Sequence, residues 1–199
     1  MATPTPGLVE AVRASPLLGG TDQVHAEQVT RLALQLFDAL VPLHRLGMPE
    51  RSLLEAAGLL HDIGWRFGRK GHHRRSCELI RDDRTLPLGP EERVIVALVA
   101  RFHRRGLPDP GRHPLYATLD PSARMTVCWL GGILRLADGL DRSHLQEVGE
   151  VRCELLPETI RIRCCTRVPV EEDRSASFPK ADLLEATSRR RCELTWERA

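Results

Sequence analysis

The sequence predicts a mainly α-helical bundle that carries a small α+β appendage at its C-terminal end. Apolar residues recur at steps of three and four through most of residues 20–145, which is typical of helices with one buried face. Near Val148 the period changes to two, which is typical of paired strands. A chain of 199 residues is long enough for one sizeable domain with such an appendage.

These patterns divide the chain into three expected parts. Residues 1–20 are rich in proline and glycine, and we interpret them as an N-terminal lead-in. Residues 21–146 are predicted to form the helical domain, and residues 147–199 to form the small α+β part.

Five helices are predicted in the helical domain. Their expected ranges are 22–46, 49–61, 72–81, 90–102 and 121–143. Thr21 or Asp22 is suited to cap the first helix, and Gly47 is suited to end it. Prolines at the start of the second, fourth and fifth ranges support those starts, because proline is favoured in the first helical turn. Residues 106–121 contain four prolines and two glycines and are predicted to form a loop.

The α+β part is predicted from its own pattern. Residues 148–156 and 159–168 alternate apolar and polar side chains, which predicts two strands joined by a turn at LPET. Residues 180–188 have a helical pattern, and residues 190–196 are predicted to form a last strand.

Composition and charge narrow the classes of function. Apolar residues make up 42% of the chain and charged residues 28%, which is typical of a globular protein. The formal net charge of +2 does not indicate a nucleic-acid or membrane partner, and no run of about eighteen uncharged apolar residues occurs. The start MATPTPGLVEAV lacks the charged and apolar parts of a signal peptide, and the six cysteines form no CxxC pair. We therefore expect a cytoplasmic protein with reduced thiols.

Four of the predicted helices bring metal-ligand residue types to their apolar faces. His61 and Asp62 end the second helix, and a buried carboxylate normally requires a cation as partner. His25, His103 and Asp138 lie at helical spacing from apolar residues of the first, fourth and fifth helices. Each alone is more often a hydrogen-bonded core histidine or a helix cap. Because helical bundles build metal sites from facing helices, the joint pattern favours a metal site.

The order of these residues resembles the defining pattern of the HD superfamily of metal-dependent phosphohydrolases. The match is closer to one branch, the C-terminal HD-type domain of the exopolyphosphatase/guanosine pentaphosphate phosphatase family. The segments that carry it are HAEQVTRLALQLFDAL, ERSLLEAAGLLHDIG, GHHRRSCELI, ERVIVALVARFHRR and LGGILRLADGLDRS. They cover most of the chain, and the alternating tail is also similar to the end of that domain. The resemblance implies an HD-domain helical bundle, here expected as a free-standing protein.

The resemblance implies a centre with one or two divalent metal ions. The positions that match the first-metal ligands are His25, His61, Asp62 and Asp138. The positions that match the second-metal ligands are His72 and His103, with Asp62 bridging and His73 as an alternative to His72. Histidine and carboxylate ligands suit Mn, Fe, Ni, Co, Zn or Mg, and the sequence leaves this choice open.

The implied reaction is hydrolysis of a phosphate ester or anhydride of a nucleotide or another small phosphorylated compound by a metal-activated water. Asp62 and His61 would be its catalytic residues. Basic side chains would bind the phosphate, and the candidates are Arg66, Arg69, Lys70, Arg104, Arg105 and Arg142. The candidates for groups that contact the substrate or support the ligands are His73, Asp141 and His144.

The sequence also departs from its relatives. These 199 residues contain neither the actin-like phosphatase domain of that family nor a Gly-rich phosphate loop. Trp65 stands where many HD enzymes have lysine, and Arg75 stands where relatives often have a further histidine.

Two other functions stay open beside the enzyme. One is a regulatory module that binds a metal or a phosphate-rich ligand, such as polyphosphate or an alarmone, without turnover. The other is a structural protein whose histidines are core residues. As partners we expect a small phosphorylated substrate, with neither a membrane nor a nucleic acid, and we leave a homodimer open.

Overall fold

A computed structural model of the protein describes residues 7–104, 106–168 and 171–198, except for the side chain of residue 172. Arg105 and the first six residues of the predicted lead-in lie outside the described residues.

The described chain is mostly helical and ends in a small three-stranded sheet, so the predicted fold class is confirmed. The helices are α1 (Leu8–Arg13), α2 (Gln23–His44), α3 (Met48–Leu60), α4 (His72–Asp82), α5 (Pro90–Phe102), α6 (Pro114–Ala117), α7 (Pro121–Leu140), α8 (Glu171–Lys180) and α9 (Asp182–Ser188). The strands are β1 (Val148–Leu155), β2 (Thr159–Thr166) and β3 (Arg191–Arg198). Short 3-10 helices lie at Pro16–Leu18 and Ile63–Phe67.

The five predicted helices of the bundle are confirmed as α2, α3, α4, α5 and α7. Asp22 caps α2, because its side chain accepts a hydrogen bond from the N–H of His25 at 3.1 Å. The prediction that Gly47 ends α2 is wrong. The helix ends at His44, where Arg45 adopts a left-handed conformation with φ 55° and the His44 ring accepts a hydrogen bond from the N–H of Leu46.

Three helices of the structure were not predicted from the sequence patterns. The short helix α1 lies within the predicted lead-in and buries Leu8 and Val12 against the bundle. The single turn α6 lies within the predicted loop. Helix α8 precedes the predicted 180–188 helix, which is observed as α9. It has little apolar periodicity, and Asp173 holds it by accepting hydrogen bonds from the N–H and hydroxyl groups of Ser143 at 2.6 and 3.0 Å.

Helix α7 is the centre of the bundle. Every residue of this helix from Trp129 to Leu140 is buried. It packs against α2, α3 and α5 within the bundle, and against α8 and α9 from the C-terminal part. The C-terminal end of α7 therefore lies between the bundle helices and α8.

The sheet has the strand order β1-β2-β3. Strands β1 and β2 form an antiparallel hairpin, whereas β2 and β3 are parallel, so α8 and α9 form the crossover that a parallel pair requires. Hydrogen bonds between α2 and β1 hold the sheet against the bundle. Gln28 donates to the carbonyl of Val148 at 2.8 Å, and the N–H of Val151 donates to Gln35 at 2.9 Å. The three predicted strands are confirmed, and the domain boundaries near residues 20 and 146 stay predictions.

Among the described helices, none combines the length and the apolar character that crossing a bilayer requires.

Candidate metal centre

The six predicted ligands come together where several helices of the bundle begin or end. His25 lies in the first turn of α2, His61 and Asp62 follow α3, His72 begins α4, His103 follows α5, and Asp138 lies near the end of α7. The five histidine and aspartate side chains apart from Asp62 are all buried, and Asp62 is half-buried. These residues are therefore brought together by the packing of several helix ends, and not by one local sequence motif.

The first group of possible metal ligands is His25, His61 and Asp62, whose ligand atoms lie within 4.8 Å of one another. Asp138 lies beside this group. Its Oδ1 is 3.4 Å from Nε2 of His25 and 3.8 Å from Nε2 of His61.

The second group is Asp62, His72 and His103. Oδ1 of Asp62 is 3.2 Å from Nε2 of His72 and 3.5 Å from Nε2 of His103, and the two Nε2 atoms are 3.3 Å apart. Asp62 belongs to both groups, so its carboxylate lies between the two sets of imidazole rings.

Hydrogen bonds at Nδ1 orient all four rings in the same way. Nδ1 of His61 lies 2.7 Å from the carbonyl of Gly58, and the Nδ1 atoms of His72 and His103 face the carbonyls of Arg69 and Ala100. Nδ1 of His25 lies 2.7 Å from Oδ2 of Asp141. A carbonyl or carboxylate oxygen accepts, so each Nδ1 carries the proton and each Nε2 of a neutral ring offers a lone pair to the centre.

The donor atoms of this centre fit a cation. Burial lowers the pKa of His61 and His72, and it lowers the pKa of His103 well below its usual value, so these rings are neutral at pH 7. Nε2 of His25, Nε2 of His61 and Oδ1 of Asp62 are buried without a hydrogen-bond partner among the described residues. Lone pairs of imidazole and carboxylate face each other here without a proton between them, which is unfavourable unless a cation binds both.

Gly64 allows α4 to approach the segment that follows Asp62. A Cβ atom at this position would lie 2.2 Å from the carbonyl oxygen of His72 and 2.8 Å from the backbone nitrogen of Ser76. The N–H of Gly64 donates to the Ser76 hydroxyl at 2.9 Å. The glycine of the HDIG sequence thus sets the distance between Asp62 and His72.

A lysine from the C-terminal part completes the wall of the centre. Lys180, the last residue of α8, contacts Oδ2 of Asp138 with its ammonium group. Burial lowers the pKa of Lys180 to about 8, while the nearby carboxylate of Asp62 opposes this effect. Gly139 permits the approach, because a Cβ there would lie only 3.0 Å from Cα of Ser177 in α8.

A cleft of about 610 Å³ opens above the centre. Asp62, His72, His103 and Asp138 form part of its lining, and Arg104, Arg142 and Lys180 add positive charge. The indole ring of Trp65 also lines the cleft and stacks on His72, with 5.1 Å between the ring centroids. Cationic side chains next to a possible metal centre suit an anionic ligand.

The predicted phosphate-binding residues occupy different places. Arg104 and Arg142 line the cleft, and Nη1 of Arg104 is 3.2 Å from Nδ1 of His72. Lys70 lines a neighbouring cavity. Arg66 is exposed, donates weakly to the carbonyl of Gly19 at 3.5 Å and lies over the ring of Phe67. Arg69 is exposed and contributes its carbonyl to His72, and Arg105 lies outside the described residues.

The three predicted supporting residues also differ in position. Asp141 is buried against His25, and its other oxygen accepts a hydrogen bond from the N–H of Gln146 at 2.8 Å. His144 stacks on His25 with 3.8 Å between centroids, and its Nδ1 is 2.9 Å from Oδ2 of Asp22. His73 belongs to neither ligand group. Its pKa is lowered to about 4, first by burial and then by His72 and the neighbouring cationic side chains.

The sequence patterns missed two residues of this region. Arg135, which is fully buried, donates to the carbonyls of Phe102 and Gly106 at 2.8 and 2.7 Å and to Asp182 at 2.7 Å, which fixes the segment around His103. The available signal was a charged residue within an apolar helix. Lys180 also had a signal, because it is one of two lysines among 29 basic residues.

One family model matches the chain. Its description is Ppx/GppA phosphatase, domain III, and the match covers residues 20–176, which include all six residues of the centre. No curated protein matches the chain.

Proposed function

Because the chain belongs to the Ppx/GppA phosphatase domain III family, we propose that it is a metal-dependent phosphohydrolase that cleaves a phosphate ester or anhydride. The substrate would be a nucleotide or another small phosphorylated compound. One observation carries the proposal. The Nε2 atoms of four histidines converge on the Asp62 and Asp138 carboxylates at the base of a basic cleft.

Two metal positions are part of the proposal. His25, His61, Asp62 and Asp138 would hold one ion, and Asp62, His72 and His103 would hold another. These ligands suit Mn, Fe, Ni, Co, Zn or Mg. When bound, such an ion lowers the pKa of a coordinated water and offsets the negative charge of the phosphoryl group.

The residues of the chain would supply orientation and charge. Asp141 keeps the proton on Nδ1 of His25, so that Nε2 stays available for a ligand. Arg104, Arg142 and Lys180 would bind phosphoryl oxygens, because their positive charges line the cleft above the ligand groups. With a pKa of about 8, Lys180 is mainly protonated at pH 7 and adds a positive charge at that pH.

The first test is metal content and turnover of the purified chain. We expect one or two divalent ions per chain, and phosphate release from at least one member of a panel of nucleotides, cyclic nucleotides and alarmones with Mn, Co or Ni added. Asp62→Ala should lose metal and activity together, since Asp62 belongs to both groups. Asp109→Ala, at a carboxylate outside both groups, is the matched control.

The outcome that contradicts the site is clear. If Asp62→Ala retains as much metal as the unchanged protein, the assigned ligands do not hold it. If the metal-loaded protein releases no phosphate from any compound, hydrolysis is not its function.

A second candidate is a module that binds a phosphate ligand without hydrolysis. It is favoured by the contact between Lys180 and Asp138, because an ammonium group there balances the Asp138 carboxylate without a metal. The two candidates are separated by Lys180→Met. A hydrolase should keep its metal in this variant and bind phosphate more weakly, whereas a metal-free module should lose stability, because Asp138 would be left without its cation.

A further inference from the structure

A second basic cavity lies next to the cleft. Its volume is about 440 Å³, and its basic lining residues are Lys70, His73, Arg74, Arg101 and His113. No aspartate or glutamate is among the residues that line it. A concave surface with several cations and no acidic group favours an anion as its ligand.

The cations of this cavity are not neutralised within the described part of the chain. Lys70, Arg74 and Arg101 form no ion pair there, unlike Arg75, which pairs with Glu78 at 2.9 Å. Arg101 lies over the ring of Phe102, with 6.0 Å between its guanidinium carbon and the ring centroid. Three positive charges without a carboxylate partner thus border one cavity, and Arg101 also hydrogen-bonds the side chain of Cys77.

His73 adds an unused polar atom. Its Nδ1 is buried and has no hydrogen-bond partner among the described residues, although the ring lines the cavity. The ring of His113 is held against Phe102 in an edge-to-face contact, with 5.0 Å between centroids. Both rings can provide a hydrogen-bond donor beside the cationic side chains.

This cavity is distinct from the metal centre but adjoins it. His72 and His103 face the cleft, whereas their chain neighbours His73 and Phe102 line the second cavity. Gly106 lines both, so the two cavities meet at this residue.

We propose that the cavity lined by Lys70, Arg74 and Arg101 binds a phosphate-type oxyanion separately from the metal centre. The anion has two conceivable sources: free inorganic phosphate, or one phosphate group of a longer ligand whose other end lies in the cleft. The site goes beyond the proposed hydrolase function, because its residues are not ligands of the metal groups.

The test is calorimetric titration of the metal-depleted full chain with inorganic phosphate. Arg74→Gln and Arg101→Gln should each weaken binding about tenfold, the usual effect of losing one charge-assisted hydrogen bond. Arg84→Gln removes the same charge from an exposed position outside this cavity, and Arg142→Gln removes it from the cleft. Arg84→Gln is the control and should bind phosphate as the unchanged chain does, whereas Arg142→Gln reports how much phosphate binds in the cleft.

Either of two results would overturn the proposal. One is equal phosphate affinity of Arg74→Gln and the unchanged chain. The other is an equal or larger loss in Arg142→Gln, which would place the phosphate in the cleft. Arg74 is exposed, so its variant folds even if Arg101→Gln does not. Because the titration uses metal-depleted protein, a negative result would reject the second anion site without bearing on the proposed metal-dependent hydrolysis, which the metal and turnover assay tests.

Tripolyphosphate separates the two sources of the anion. If a longer ligand spans both cavities, a single tripolyphosphate should bind per chain, and Arg74→Gln and Arg142→Gln should each weaken that one binding event. If the site serves free phosphate, the two cavities should bind independently, and Arg142→Gln should leave unchanged the tripolyphosphate binding that Arg74→Gln weakens.

Discussion

Asp141 and His25 form a buried pair, with 2.7 Å between Oδ2 of the carboxylate and Nδ1 of the ring, although 116 residues separate them in the chain. The pair joins the end of α7 to the first turn of α2. It also determines which nitrogen of His25 faces the candidate metal centre.

The pair leads to a prediction about metal affinity. Asp141→Asn should weaken binding of Mn or Co about 10- to 100-fold, because the amide no longer holds the proton on Nδ1 as a carboxylate does. Equilibrium dialysis or competition with a chelator measures the change. Asp22→Asn is the control and should change the affinity less, because it removes a carboxylate that contacts the ring of His144, while asparagine can keep the N-cap hydrogen bond from the N–H of His25. Unchanged affinity in Asp141→Asn would exclude this role.

Gly64 gives a prediction about packing. In Gly64→Ala the new Cβ would meet the carbonyl of His72 at 2.2 Å, so α4 must move, and we expect a loss of about 3 kcal/mol in the free energy of unfolding. Urea denaturation measures this loss. Gly149→Ala is the matched control, because its Cβ would have only an ordinary contact at 3.7 Å, and its effect should stay within about 0.5 kcal/mol. Similar stability of the two variants would show that the close approach at Gly64 is not required.

Arg135 gives a prediction about the buried network. Arg135→Met should destabilise the fold by about 3 kcal/mol, because it leaves the carbonyls of Phe102 and Gly106 without their donor. Thermal and urea unfolding measure the loss. The comparison is Arg152→Met, which removes an arginine from an exposed ion pair with Glu150 and should leave stability unchanged. A stable Arg135→Met protein would contradict this account.

His44 gives a prediction about pH. Its Nε2 donates to the carbonyl of Phe37 and its Nδ1 accepts from the N–H of Leu46, both at 2.9 Å, so the folded protein uses the neutral ring. Burial lowers its pKa. The His44 ring therefore takes up a proton more readily in the unfolded chain, where the histidine pKa is about 6.5, than in the folded protein. The contribution of His44 to the free energy of unfolding is thus fully present above about pH 6.5 and is lost as the pH falls towards the folded-state pKa.

The measurement is the stability difference between the unchanged protein and His44→Gln from pH 8 to pH 5. The difference should be about 1–2 kcal/mol at pH 8, for the lost hydrogen bonds, and should shrink as the pH falls. Other titrating groups are common to both proteins and cancel. A difference that stays constant or grows towards pH 5 would show that His44 does not titrate in this way.

Periodicity predicted much of the fold because most elements bury an apolar face. Burial of one face produces the spacing of Leu32, Leu36 and Leu40 in α2, and it produces the alternation of apolar and polar residues in β1 and β2. The sequence of helix α8 has no comparable apolar periodicity. The position of this helix depends on the hydrogen bonds that its Asp173 accepts from Ser143 and on the close approach of its Ser177 to Gly139, and both partners are distant in the chain.

The same distinction applies to the candidate site. His25, His61, His103 and Asp138 lie on apolar faces or at helix ends, so the sequence could identify them, and their role as ligands stays a prediction. Lys180 could not be placed, since nothing local in the sequence relates it to Asp138. The end of α2 was missed for a different, local reason: Arg45, which is not a glycine, adopts the left-handed conformation, and the N–H of Leu46 donates to the His44 ring.

The parallel pairing of β2 with β3 has a mechanical consequence for the cleft. Helices α8 and α9 lie between two strands that are hydrogen-bonded to each other, so the segment that bears Lys180 is tethered at both of its ends. A tethered segment loses less conformational entropy when its side chain is fixed than a free tail would. A strand that does not line the cleft thereby restrains the lysine that does.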